Sequence, residues 1–428
     1  MNKINSELID FVYSSPTAFH TVENAKMRLV EDGYTELFES EKWILEEGER
    51  YFVTRGDSSL IAFRIPDGDF DGFQIVASHT DSPAFKLKPN FEICDKNYLR
   101  LSADRYGGPV LSSWLDRPLA VAGRLMVKDG IRVVTKLVAT DNVAIIPSLA
   151  PHINLNKDAS LSLTSDMVAL FGESGDSGKL LSSLADIADV DEENIISHDL
   201  YLVNREKGCV WGDKFVSSPR LDDLQCVFTS LTGFLLSSDD VNVPVFAIFD
   251  REEVGSGSEN GGGSMFLPSV LERISASMGK SGEEHKRLLS NTFLISADNA
   301  HGVHPNHPET SDPNNKGYLN SGIGIKHNAM GRYVTSAESD AVIKSLCKIA
   351  DVPFFDYTNR SDMPGGSTLG HILQSHLSVS AVDIGLPQLA MHSSFETAGA
   401  MDTEYAHRLF MTFYSSHIYK IDNSFVIE

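Results

Sequence analysis

VPVFAIFDREEVG, residues 243–255, sets an apolar run directly against two adjacent glutamates, Glu252 and Glu253. A short apolar run bounded by turn residues is the pattern of a strand buried on both faces, and helices must then cover the sheet that holds it. The stretch therefore predicts an α/β fold with the acidic pair at the carboxyl end of a strand, where such sheets build their sites. Two neighbouring carboxylates there can divide the work of a hydrolytic metal centre, one holding the ion and the other taking a proton from water. On its own the pair reads equally well as a solvated acidic doublet, so the rest of the chain must supply matching ligands.

Size and charge narrow the classes. A chain of 428 residues is long enough for two domains and sizeable cores. Hydrophobic and charged fractions of 42% and 22% are those of an ordinary globular protein. A formal charge of -23 repels phosphate backbones and anionic membranes, and no local basic patch offsets it, so neither nucleic acid nor membrane is an expected partner. Cys94, Cys209, Cys226 and Cys347 are scattered without a CxxC pair, which argues against a zinc knuckle or a disulfide framework. With no signal-like N-terminus and no apolar run of bilayer length, a soluble, cytoplasmic protein is expected.

Read from the N-terminus, residues 7–13 and 17–31 are expected helices, the second capped by Ser15 with Pro16 in its first turn. Strands are expected over 51–54, 60–65 and 72–77, and the last leads into His79-Thr80-Asp81. An imidazole and a carboxylate two residues apart suit a ligand and the acid that orients it, or two ligands, although an isolated HxD is as easily an incidental loop. From about 97 to 204 the pattern shifts to short alternating segments and turns, as in an antiparallel β domain. A β-rich domain at 95–204 is thus expected as an insertion between 1–94 and 205–428. Its GESGDSGK stretch, 172–179, reads as a mobile loop, since Glu173 and Leu180 stand where a phosphate-binding loop needs Gly and Ser/Thr.

Beyond Trp211 strands and helices alternate again. Asp222 and Asp223 precede an apolar-periodic helix, where capping is their plain role. The glycine-rich loop at 255–264 fails as a dinucleotide fingerprint, with Asn260 in place of a glycine and acidic residues that would repel a pyrophosphate. A strand at 291–297 ends before Asp298, and another at 379–384 precedes Met391-His392-Ser393. His79, Asp222, Glu253, Asp298 and His392 thus form a set of nitrogen and oxygen donors without thiolate. If one carboxylate bridges, the set suits two zinc-like ions and leaves Glu252 free as the base.

Five segments carry a family resemblance: ASHTDSP (77–83), SPRLDDL (218–224), FDREEVGS (249–256), SADNAHGVHPN (296–306) and MHSSFETAG (391–399). In order and combination they resemble the signature segments of the aspartyl aminopeptidase family of dizinc metallopeptidases, metallopeptidase family eighteen, across nearly the whole chain. The resemblance implies that His79 and Asp298 bind one zinc, Glu253 and His392 the other, and Asp222 bridges them. Asp81 would orient His79 and Glu252 would activate the water; manganese or cobalt are alternative ions. It also implies a zinc-peptidase-like α/β catalytic domain with a mixed sheet flanked by helices, interrupted by a β-rich dimerisation domain that builds dimers and a tetrahedral homododecamer.

Two single-residue roles come with the same resemblance. His152 matches a histidine that reaches a neighbouring subunit's site and steadies the tetrahedral intermediate, so it is both a catalytic and a substrate-binding candidate. Lys326 matches a position that holds an acidic substrate side chain. At Gly365 the chain departs from eukaryotic members, which carry cysteine there. His301, His304 and His307 are broken up by Pro305 and Pro308 and read as loop and pocket wall, and His20, His198 and His417 receive no role. The expected function is a metallo-aminopeptidase that removes N-terminal Asp or Glu from peptides through a two-zinc activated water. The alternatives are a glutamyl or deblocking-type dizinc aminopeptidase of broader specificity and an inactive peptide-binding scaffold.

Overall fold

Two helices, α1 (Lys3–Ser14) and α2 (Ala18–Glu31), open the chain and lead into strands β1 (Thr35–Leu37), β2 (Arg50–Arg55), β3 (Ser59–Arg64) and β4 (Phe73–His79). Helix α2 starts later than Ser15 suggested: Thr17, with extended φ −144° and ψ 167°, holds the cap position. Pro16 disfavours a helical conformation at Ser15, whose hydroxyl instead accepts from Asn24 Nδ2 at 2.8 Å. The computed structural model describes residues 3–153, 160–238, 241–363, 365–422 and 424–428.

Six strands then close into a barrel: β5 (Ala84–Cys94), β6 (Tyr98–Tyr106), β7 (Pro118–Asp129), β8 (Arg132–Ile145), β9 (Ala169–Glu173) and β10 (Ile195–Val203), in the order β10-β5-β6-β9-β8-β7. Its first stave lies ahead of residue 95, the expected boundary of the β-rich insertion. The barrel has its own apolar centre, including Phe85, Leu101, Trp114, Val121 and Leu200. Helix α3 (Lys179–Ala188) adds Leu180 and Leu184 to it. The 172–179 stretch, expected as a mobile loop, is a tied turn. The Glu92 carboxylate accepts from Ser177 Oγ at 2.6 Å and from the Gly178 N–H at 2.9 Å, which gives this polar segment a fixed partner.

Past the barrel come β11 (Cys209–Trp211), β12 (Phe215–Ser218), α4 (Leu221–Leu236), β13 (Val243–Phe249), α5 (Phe266–Ser277), α6 (Gly282–Asn291), β14 (Phe293–Ala297) and β15 (Ala300–His301). The chain ends with β16 (Ile323–Lys326), α7 (Ala337–Ile349), β17 (Phe354–Tyr357), α8 (Leu369–His376), β18 (Ser380–Gly385), β19 (Pro387–Leu389), β20 (Glu396–Gly399), α9 (Ala400–Tyr414), β21 (Ile418–Ile421) and β22 (Ser424–Ile427). Nine strands form the main sheet, β1-β2-β3-β13-β4-β14-β18-β16-β17. At its centre β13, β4, β14 and β18 run parallel, while β3 and β16 pair with them antiparallel.

The side-chain alternation of β13 shows why the 243–249 run is apolar throughout. Phe246 and Ile248 enter the layer shared with α1, α2, α4, α7 and α9, whereas Val245, Ala247 and Phe249 face the layer with α5, α6 and α8. Truncating one such residue, Phe246 for example, removes packing worth about 3–5 kcal/mol. Because β13 and β4 are in register with Phe249 opposite His79, the segments after both strands emerge side by side. Among the described residues no helix is long and apolar enough to cross a membrane.

Candidate metal centre

Each site residue sits where regular structure stops. His79 is the last residue of β4, and Asp298 comes directly after β14. Glu252 and Glu253 form a one-turn 3-10 segment after β13, held between Arg251 (φ 64°) and Gly255 (φ 94°), both left-handed. Asp222 stands at the start of α4 with non-helical φ −82° and ψ 107°, joined to Asp223 by a cis peptide. His392 lies between β19 and β20 at φ 66°. The capping role read for Asp222 and Asp223 is absent, because both side chains turn into the protein instead of back onto the helix.

Two groups of donors result, and Asp222 belongs to both. His79, Asp222, Asp223 and Asp298 present atoms within 4.8 Å of one another, as do Asp222, Glu253 and His392. Asp222 Oδ1 is 3.4 Å from His79 Nε2 and its Oδ2 is 3.4 Å from His392 Nε2, which in turn is 3.5 Å from Glu253 Oε1. Ligands of a tetrahedral zinc at about 2.0 Å stand about 3.3 Å apart, so these gaps match the edges of such a shell. Oδ1 of Asp222 and Oδ1 of Asp223 are buried and accept no well-formed hydrogen bond among the described residues. Leaving buried carboxylate oxygens unpaired is costly, and a shared dication would satisfy them. The donors present therefore fit zinc.

The electrostatics reflect a crowd of buried acids. Burial first, then the carboxylate of Asp298, raises Glu252 to about 8. Burial and neighbouring carboxylates likewise push Glu253 and Asp223 well above their usual range and raise Asp298. For His79 burial opposes protonation, but Asp222 and Asp81 outweigh it and carry the ring well above its usual value. His392 rises to about 10 against its burial, through Asp222 and Glu253. Acids that cannot all ionise and imidazoles drawn to protonate mark a pocket built for an added cation.

Supporting contacts fix the ligands. His79 Nδ1 lies 3.0 Å from the Asp81 carbonyl oxygen and 3.5 Å from Asp81 Oδ1. The Asp81 carboxylate accepts from the backbone N–H of Glu252 at 3.1 Å, the N–H of Glu253 at 3.2 Å and the Tyr106 hydroxyl at 2.7 Å. Asp81 thus holds the acidic turn as well as the histidine. Glu396 accepts from the N–H of Asp222 at 3.0 Å and from that of His392 at 2.7 Å. Asp223 Oδ2 accepts the His79 N–H at 3.1 Å.

Lys326 is 3% exposed and stands behind the donor groups. Its ammonium donates to the Asn299 carbonyl at 2.9 Å and lies 3.8 Å from Asp298 Oδ1. His152 is exposed on the barrel and joins neither donor group. Glu396, Asp223 and Tyr106 were not singled out from the sequence as site residues. The first two lie within the five signature-like segments, but no periodicity there tells which acid turns inward, and Tyr106 belongs to the inserted part. A third acidic group, His327, Asp340 and Asp356, already holds Lys344, whose Nζ is 2.9 Å and 2.7 Å from the two aspartates.

Comparison with known proteins gives a consistent picture. Residues 11–414 match the family described as aminopeptidase I zinc metalloprotease, M18. A probable M18 family aminopeptidase 2 of Clostridium novyi is 44% identical, over 96% of this chain and 99% of the relative. The fold superposes with TM-score 0.93 on a chain in the cryo-EM structure of the Ape4 and Nbr1 complex, at 35% identity over 96% of this chain and 85% of that one. It also matches the structure of the S. cerevisiae mApe1 dodecamer, with TM-score 0.84 and 27% identity over 96% of both chains.

Proposed function

The chain belongs to the M18 aminopeptidase I family and is a zinc-dependent aminopeptidase, and from that premise we propose that it cleaves N-terminal aspartyl and glutamyl residues from peptides at a two-zinc site. His79 and Asp298 would hold one ion, Glu253 and His392 the other, and Asp222, which belongs to both donor groups, would serve both. The observation that carries this reading is the pair of 3.4 Å contacts by which Asp222 offers one oxygen to each histidine. Zinc, when bound, supplies Lewis-acid polarisation of the scissile carbonyl and makes water acidic enough to ionise near neutral pH.

The chain's own residues complete the reaction. Glu252 belongs to neither donor group, so its carboxylate is free to take the water's proton and pass it to the leaving amine. Asp81 keeps Glu252 and Glu253 at fixed positions through their backbone N–H groups. Lys326 provides the local cation that an acidic side chain requires in so acidic a protein, and a substrate carboxylate would share it with Asp298. His152 acts on a neighbouring subunit's site, and the inserted barrel, which begins at β5, is the dimerisation domain of a self-associating enzyme, as the mApe1 dodecamer of similar fold suggests.

A panel of aminoacyl chromogenic substrates, assayed with and without a chelator, tests the proposal. Fast cleavage of aspartyl and glutamyl substrates that the chelator abolishes and zinc restores is expected. Equal rates on leucyl and alanyl substrates would remove the acidic preference, and chelator-resistant cleavage would remove the metal mechanism.

A further inference from the structure

We propose that the strap at residues 106–114, which belongs to the inserted barrel, positions His392 and Glu253 for the second ion, so that the barrel is part of the metal centre of its own subunit. This rests on the two-ion reading of the site. The strap leaves β6 at Tyr106 and ends in the 3-10 turn Leu111–Trp114. Trp114 anchors that end in the barrel core, 3% exposed and edge-on to Phe85 with ring centroids 5.1 Å apart.

Between those ends the strap touches both ligands of the second group. The Gly108 carbonyl oxygen is 3.1 Å from His392 Nδ1. A carbonyl only accepts, so in the neutral ring Nδ1 carries the hydrogen and Nε2, facing Asp222 and Glu253, keeps its lone pair for a metal. The Val110 N–H donates to the His392 carbonyl at 2.9 Å, which secures the main chain of the same residue. Gly107, at φ +68°, packs on the other ligand: a Cβ there would stand 3.1 Å from Glu253 Cβ and 3.2 Å from Glu253 Oε2. Glycine is therefore required twice, for the left-handed backbone and for the close approach. Tyr106 completes the strap by donating to the Asp81 carboxylate, which also holds the Glu253 N–H.

Nothing in this arrangement needs a second copy of the chain. The ring of His392 stands on a short left-handed link between two strands, and the strap supplies its Nδ1 partner from a different part of the fold. A shift of the barrel against the main sheet would turn the ring away from Asp222. Gly107 and Gly108 are positioning residues, since they act through His392 and Glu253.

The test compares Gly107→Ala with Gly130→Ala in the full-length enzyme. Gly130, in the β7–β8 hairpin of the same barrel, also has positive φ (+60°) but nothing within 4 Å of its Cβ, so it reproduces the backbone strain without the contact. Zinc stoichiometry and affinity are measured after dialysis, together with the solvent protection of the His392 Nδ1–H by proton–nitrogen NMR in metal-free protein. Gly107→Ala is expected to weaken one of two ions by about 10–100-fold and leave the other unchanged, as loss of an outer contact to a ligand does, while Gly130→Ala binds both normally. Val110→Pro removes the N–H donated to His392, at a φ of −72° already suited to proline, and is expected to weaken the same ion. Normal binding of both ions by Gly107→Ala and Val110→Pro, or equal loss in Gly130→Ala, overturns the proposal. If the wild type binds one ion, the two-ion reading fails, and the Nδ1–H of His392 decides on the strap: slow solvent exchange in wild type that becomes fast in Gly107→Ala upholds it, and no difference overturns it.

Discussion

The backbone N–H of Glu252 donates to Asp81 Oδ1 at 3.1 Å, across two strands of the sheet. The main chain, not the side chain, thus sets where the Glu252 carboxylate stands. Glu252→Gln keeps that hydrogen bond and the shape of the side chain but cannot accept a proton. Its kcat is expected to fall by about 10²–10⁴-fold with unchanged zinc content and melting temperature, measured by steady-state kinetics beside elemental analysis. Activity within a few-fold of wild type would show that another group moves the proton.

His392→Ala removes a ligand from one donor group and leaves His79, Asp222 and Asp298 intact. Metal analysis is expected to find about one zinc per subunit where the wild type holds about two, with turnover lost. Full zinc retention would exclude His392 as a ligand.

Lys326→Met keeps most of the buried volume but removes the charge 3.8 Å from Asp298. If Lys326 also meets an acidic substrate side chain, kcat/KM for aspartyl over leucyl substrates drops by about tenfold or more, as one buried charge pair is worth a few kcal/mol. A parallel fall on both substrates would confine the lysine to supporting Asp298.

Exposure of His152 on the barrel leads to a mixing experiment. His152→Phe is expected to lose activity without losing zinc. Co-assembling it with Glu252→Gln subunits should restore part of the rate, because each mutant supplies what the other lacks. No recovery in mixed assemblies would end the cross-subunit role.

His20 gives a pH dependence remote from the metal. Burial, aided by the charges of Arg205 and Arg220, lowers its pKa to about 4, and its Nδ1 is 2.8 Å from Thr17 Oγ1. The folded pKa lies below the unfolded one, so the unfolded chain binds the proton more readily. The contribution is complete above about pH 6.5 and is lost as pH falls through 4. Between pH 7.5 and 5 this amounts to about 2 kcal/mol of unfolding free energy. Urea titrations should show that slope reduced in His20→Asn; an equal slope would mean that other groups carry it.

The grouping of candidate donors was legible because strand ends are legible. Apolar runs such as 243–249 announce buried strands, and parallel strands deliver the residues at their carboxyl ends to one edge, so His79, Glu253 and Asp298 could be grouped from sequence. Asp222 and His392 entered that set by residue type alone, since neither lies directly after a strand of the main sheet, and the resemblance was needed to divide the five between two ions. The hidden part depends on contacts between distant segments. Glu396 ties the main chains of Asp222 and His392 together, and Gly108 faces His392 across 284 positions of sequence. The start of the barrel was hidden as well: β5 is continuous in sequence with the catalytic segment before it, and only its pairing with β6 and β10 assigns it to the barrel.

The closure of that barrel is uneven. Strands β7 and β8 pair over almost their full length, whereas among the described residues β8 meets β9 at a single residue pair, Ile145 with Leu170. Closure hides strand edges, and an opened seam would bare two of them to other chains. Under heat or mild denaturant the barrel is expected to unzip there first, making this joint the point from which aggregation begins.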